Sequence, residues 1–517
     1  MARASIEKVV RGILAAGLSL TLYGCGAGST KASTEAAPTT PLATQSDITV
    51  AGTQAGMTPF IASVQLTGQN ISEVTSVTFT IAAKPNTVSL PVTVTWSAAA
   101  LSARGYLKSN TINLPVFGLY DGYQNQVSFQ LAFDDGSVQQ LQSQITTVAY
   151  TDATGVYLNP TIVQPRASGS TLGFNYFLMK SQLGSPVIID TDGRVRWVVP
   201  ATQTTAVYYG NGQFVTGSET SPAVTLLQFD GSQSTPQTNL PQPLLNSFTH
   251  NIDPGPIGTL AEFSGTDSLG SSQLDIVAEI QPSSTNPPIQ TFDMAEILTS
   301  YMNAHGDNGG DFVRPGVDWF HVNASTYDPS DNTVIVSSRE NFLIKVNYAT
   351  HDIVWILGDP TKYWYTFPSL KAKALTLSAG GDYPIGQHAI SITTDGYLMV
   401  FNDGLGSNNE PNGSPAGLTR NFSEVSAYSV NSAKMTAQNV WNFNYGQTIF
   451  SPICGSSYEQ GNSYLVDFAT ADNYLQARLV GLDANRNVVF DFQYPSPSDC
   501  AAAWNAIPIQ MESLQIK

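Results

Sequence analysis

Charge is scarce in this 517-residue chain, and positive charge scarcest: 22 Lys and Arg stand against 39 Asp and Glu, for a net charge of −17 and a charged fraction of 12%. Ordinary domains carry about 25% charged residues. Nucleic acid needs a basic footprint for its phosphates, so this class of partner is excluded. A site for a small anion would have to depend on a handful of placed groups. Long apolar runs are also missing: beyond Leu22 no stretch is apolar enough for a transmembrane helix. Histidine and cysteine number five and three, so the place of each one carries weight.

The chain opens MARASIEKVVRGILAAGLSLTLYGC, with Arg3, Lys8 and Arg11 ahead of a short apolar run from Gly12 to Leu22. This is the pattern of a secretory signal, residues 1–25. Leu22, Tyr23, Gly24 and Cys25 look like the lipobox of a bacterial lipoprotein, with Tyr23 bulkier than is usual there. The expectation is an exported protein, periplasmic or anchored to the outer membrane by lipid on Cys25; the alternative is a soluble secreted protein cut nearby. Cys454 and Cys500 then remain as the thiols expected to pair in an oxidising compartment. Residues 26–47 are small, polar and Pro-punctuated, a flexible linker.

From 48 to 152 apolar residues alternate strictly. Val77, Phe79 and Ile81 share a strand face, as do Val92, Val94 and Trp96, and Val127, Phe129, Leu131 and Phe133. Short strands between turn signals predict a small β-sandwich. Residues 153–517 repeat a phrase of strand, Asp-containing turn and strand at 187–199, 325–339, 391–404 and 479–492. At the usual repeat length, roughly 360 residues make about six propeller blades. The fold class expected is therefore all-β, an about six-bladed β-propeller preceded by a small N-terminal β-sandwich domain, with one helix around Thr291 to Met302. Stacked sheets or a parallel β-helix suit the many antiparallel turns less well.

Three segments each carry a histidine: FTHNID around His250, DWFHVNASTYDPSDNTVIVSSR around His321, and GQHAISITTDGYLMVFNDG around His388. They are spaced 71 and 67 residues apart, compatible with different blades whose loops meet at a central channel. Arg339 closes the hairpin that His321 opens, so an imidazole and a guanidinium stand at its two ends and point to anion chemistry. Taken singly, each residue has a plainer reading. His250 sits in a turn-forming context, His321 and Trp319 could pack on one strand face, Arg339 could be a solvated strand end, and His388 alone says little. His305 and His351 are assigned no role, and DPSDN reads as a hairpin turn, lacking calcium-loop spacing.

Together the three segments resemble the bacterial periplasmic arylsulfotransferases, the PAPS-independent family that moves a sulfuryl group through a covalent histidine adduct. The resemblance implies transfer from an aryl sulfate to a phenol by a ping-pong path without metal or cofactor. It makes His388, in the Q-H segment before an x-D-G hairpin, the nucleophile. His321, Asn323 and Arg339 become clamps on the sulfuryl oxygens, and His250 a further donor. Trp319, with Phe320, is expected to wall the phenolic ring. The resemblance also allows a homodimer through the N-terminal domain. Departures are Val322 where a second histidine is common, Asn251 where an acidic residue often follows, and a wider spacing of the cysteine pair. Two rival readings stay open: a non-catalytic exported propeller binding an anionic ligand or a protein, and a three-histidine zinc hydrolase.

Overall fold

Alternating apolar residues in the N-terminal region bury one face of each strand, and two such faces close on each other. The computed structural model describes residues 47–183, 186–199, 206–210 and 212–517. The expected signal segment with Cys25, and the linker up to residue 46, lie outside the described residues. A four-stranded sheet takes the order Thr49–Ala55, Ile61–Thr67, Thr111–Phe117, Leu107–Lys108. It faces a five-stranded sheet ordered Leu514–Ile516, Val92–Ser97, Val74–Ile81, Gln124–Phe133, Val138–Thr146. Val77, Phe79, Ile81, Val92, Val94, Trp96, Val127, Phe129 and Leu131 are all buried between them, and Phe79 meets Phe117 edge to face at 5.5 Å. This is the expected sandwich, with one correction to its boundary. The final strand, Leu514–Ile516, pairs in parallel with Val92–Ser97 and so leaves the domain to which 153–517 was assigned. Three residues carry too little pattern to announce that return.

Outside the sandwich the described residues form six sheets of four or five strands, and each of the four Asp-turn phrases is a strand pair within one of them. The first strands of neighbouring sheets lie side by side. Ala206–Gly210 abuts Ser247–Pro254, which abuts Val322–Asp328, then Gln387–Ile392, then Ser456–Gln460, then Asn505–Ile509. That succession is the radial, propeller-like arrangement expected of the repeat. The two ends of the repeat region are exchanged. Asn505–Ile509 pairs with Tyr176–Lys180 in the first sheet, and Thr161–Gln164 pairs with Val488–Pro495 in the last. The helix runs Met294–Ala304, starting later than expected because Gln290–Asp293 still pairs as a strand; Asp293 caps it, accepting from Glu296 N.

Sandwich and sheets share one apolar cluster. Phe117 stacks on Phe229 at 4.0 Å. Arg196, fully buried at the seam, lies 3.7 Å from the centre of the Tyr120 ring and donates to Gly118 O at 2.6 Å and Asp190 at 3.2 Å. A joint fixed by a stacked ring pair and by a buried arginine that reaches Gly118 O and the Tyr120 ring does not behave as a linker.

Candidate active site

Each of the three histidines sits where a first strand loses its regular register. In the third sheet the pairing of Ser247–Pro254 slips between Phe248 and Ile252, around His250. In the fourth, His321 precedes Val322–Asp328 with φ of 51°, and the pairing slips between Val322 and Ala324. In the fifth, it slips between His388 and Ser391, and Ala389 takes φ of 40°. Bulges re-aim side chains that a regular ladder would send to alternate faces. Three in adjacent first strands turn three imidazoles towards one place.

There the His250 and His321 rings meet edge to face at 5.1 Å. His250, Asn323, His388, Trp504 and Asn505 line a common hollow together with the Cys454–Gly455 backbone. The hollow measures about 10 Å³, room for roughly one water-sized group. His388 is held from both sides. Its Nδ1 lies 2.8 Å from Gly386 O, which can only accept, so Nδ1 carries the proton; Nε2 then has the lone pair and accepts from Cys454 N at 3.2 Å. Gly386 has φ of 57° and lies so close to Asp403 that a Cβ there would fall 1.8 Å from Oδ1, so no other residue fits this support.

Charge around His388 is arranged to keep it neutral. Burial, then the Arg339 guanidinium, lowers its pKa to about 3, against the hydrogen bond to the Gly386 backbone. His250 is likewise held well below the ordinary histidine value, by burial and then by His321 and His388. Arg339 donates to Asp403 at 3.1 Å, Glu340 at 3.2 Å and Gly406 O at 3.2 Å, and these carboxylates outweigh burial and raise it further. Asp403 also lies 3.9 Å from His388 Nδ1, but burial raises its own pKa to about 8 against the pull of Arg339, so it does not offset the cation behind the ring. His321 differs in being partly exposed, with Nδ1 2.5 Å from Asp318 Oδ2, a pairing that fixes its orientation. Among the described residues no group of three His, Cys, Asp or Glu is placed to hold a metal ion.

A family model described as Arylsulfotransferase (ASST) matches residues 144–505, and another described as Arylsulfotransferase Ig-like domain matches residues 30–151. The chain belongs to the arylsulfotransferase family. It is 31% identical over 158 residues to the Arylsulfate sulfotransferase AssT of Escherichia coli O6:H1, covering 27% of this chain and 26% of that protein. It is 27% identical over 187 residues to the Lelliottia amnigena protein of the same name, covering 32% and 30%. The matches thus span under a third of these curated relatives' length. Among solved structures the nidogen/laminin complex overlaps 64% of this chain and 97% of its own at 10% identity and a TM-score of 0.35, too loose a likeness to argue from.

Within this arylsulfotransferase chain, Trp319 must be corrected. It is 1% exposed, edge-on to Phe312 and tilted against Phe320 in the fourth-sheet core, and it does not line the hollow. Neither it nor His321 lies on the strand, which begins at Val322. Arg339 and His321 stand behind and beside the hollow instead of lining it. Asn323 lines it, but its Nδ2 donates to Gln387 O at 2.8 Å, so the atom it has to offer is Oδ1. His250 proves to be a strand residue, not a turn. Sequence reading missed Asp403, although it lies in the quoted NDG, and Trp504 and Asn505 near the C-terminus, where nothing periodic marks them. Cys454 and Cys500 are bonded, with Cα atoms 6.3 Å apart. The link ties the loop under His388 Nε2 to the segment leading into Trp504. Asn251, one of the departures, accepts on Oδ1 from the buried Lys180 Nζ at 2.7 Å and from Asn505 Nδ2 at 3.2 Å.

Proposed function

We propose that the chain transfers a sulfuryl group from an aryl sulfate to a phenol in two steps through His388. The observation that carries this reading is the state of that ring: neutral, its proton held on Nδ1 by Gly386 O, its Nε2 turned to a hollow shared with two other side chains of the set. In the first step the Nε2 pair attacks sulfur, the bond from sulfur to the aryl oxygen breaks, and that oxygen leaves with the pair and takes a proton. In the second an acceptor phenol loses its proton as its oxygen attacks the same sulfur, returning the pair to Nε2. His321 is the proton carrier of choice, because Asp318 fixes one ring nitrogen and provides a partner for its positive charge. Arg339 contributes the field that keeps His388 unprotonated.

The hollow holds only part of a sulfate, so donor binding has to displace the Cys454 N–H from Nε2 and widen the mouth. The disulfide supports the further reading of an exported protein, since such bonds persist in oxidising compartments. Anchoring through Cys25 and dimerisation through the sandwich stay part of this proposal. His388→Asn keeps an amide nitrogen in place of Nδ1 and removes the nucleophile. Turnover of a chromogenic aryl sulfate with a phenol should fall by at least a thousandfold in a folded variant. Activity within tenfold of the parent removes His388 from the role.

A further inference from the structure

Four residues lining the hollow bear buried polar atoms without a hydrogen-bond partner among the described residues: His250 Nδ1, Asn323 Oδ1, Trp504 Nε1 and Asn505 Oδ1. Buried polar atoms are nearly always paired, and an unpaired one costs about 1–3 kcal/mol. Four such atoms belong to residues that line one hollow of about 10 Å³, a set that an entering polar group could satisfy. Their chemistry is not uniform. An indole N–H only donates and an amide oxygen only accepts. The nonbridging oxygens of a sulfuryl group need donors, so they fall to Trp504, whereas the two amide oxygens suit the hydroxyl of an entering phenol.

Trp504 is held in place independently of any ligand. Its backbone N donates to Lys180 O at 3.0 Å and its carbonyl accepts from Gly455 N at 3.1 Å. Its ring lies nearly parallel to His250, centroids 6.2 Å apart at 19°. The adjoining amide is oriented by elimination. Lys180 Nζ can only donate, so Asn251 offers it Oδ1; Asn505 must then turn Nδ2 to that same oxygen and to Tyr458, which leaves Asn505 Oδ1 on the free side. A donor fixed before the substrate arrives needs no reorganisation during reaction.

We propose that Trp504 is a catalytic residue of the transfer, its Nε1–H donating to a nonbridging sulfuryl oxygen while sulfur moves to and from His388 Nε2. The proposal rests on the His388 relay. No bond to Trp504 forms or breaks: the bond from sulfur to the aryl oxygen is exchanged for one to Nε2, and the three nonbridging oxygens are retained.

The test is single-turnover formation of the His388 adduct from an aryl sulfate, read by rapid quench and peptide mass, in the parent and in Trp504→Phe, which keeps a ring beside His250 and deletes the N–H. The expected result is slowing by about a hundredfold, the usual loss for one preorganised donor. Should Trp504→Phe fold poorly, replacement of Trp504 by benzothienylalanine removes the N–H at constant shape and should give the same slowing. A rate within threefold of the parent, with the adduct still on His388, overturns the role of Trp504 and leaves the relay standing. Absence of any adduct in the parent overturns both.

Discussion

Acidification should leave the nitrogen proposed to attack sulfur almost untouched. An ordinary histidine, with a pKa near 6.5, is only about 3% neutral at pH 5. His388, lowered to about 3 by burial and Arg339, is about 99% neutral there. The reactive fraction therefore changes by less than a few per cent between pH 7 and 5, where an unperturbed ring would lose about 25-fold. The assay is the single-turnover rate of adduct formation across that range, quenched into base because the phosphoramidate-like bond from nitrogen to sulfur is acid-labile. A rate falling tenfold per pH unit below about 6.5 would refute the electrostatic account of the site. Stability, unlike the rate, should fall with pH. The folded pKa lies below the unfolded one, so this contribution is intact above about 6.5 and is lost as the pH falls towards 3. The slope is about 1.4 kcal/mol per unit, or about 2 kcal/mol from His388 by pH 5. His388→Gln should remove that slope from equilibrium unfolding.

Two further substitutions probe what surrounds the ring. Arg339→Lys replaces a fork that reaches Asp403, Glu340 and Gly406 O with a single point of charge. It should lower kcat at least tenfold and destabilise by about 1–3 kcal/mol, measured by steady-state turnover and urea unfolding; a silent variant would deny the cation its place behind His388. Removing the Cys454–Cys500 link through paired Cys→Ser changes frees a loop of 46 residues, for which chain entropy gives about 4 kcal/mol. Because that link also steadies the segment leading into Trp504, turnover should drop in parallel, and unchanged Tm with unchanged turnover would contradict both effects.

How much of this was legible in the sequence depended on pattern length. The sandwich was readable because runs such as Val127, Phe129, Leu131 and Phe133 keep a period of two long enough to be counted, and all four end up buried. The hairpins of the sheets were readable from their Asp turns. His250, His321 and His388 were legible as a set through family segments, yet nothing local foretold the bulges that aim them, since a register slip is decided by the partner strand. The misplacement of Trp319 has the same origin. Counting two residues back from His321 presumes a strand, but His321 has positive φ and the chain turns Trp319 into the core. Trp504 and Asn505 were invisible because their importance comes from a strand that pairs with Tyr176–Lys180, more than 300 residues earlier. Lys180 was overlooked for that reason too: a lone lysine at a strand end gives no hint that it will be buried against Asn251 of another sheet.

The central claim is that sulfur passes through one nitrogen. Mixing the full-length protein briefly with an aryl sulfate, without acceptor, and mapping the peptides tests it directly. The account predicts the added mass of one sulfuryl group on the peptide holding His388, discharged when a phenol is supplied. A modified His250 or His321 peptide, or product formation with every peptide unmodified throughout, would contradict it.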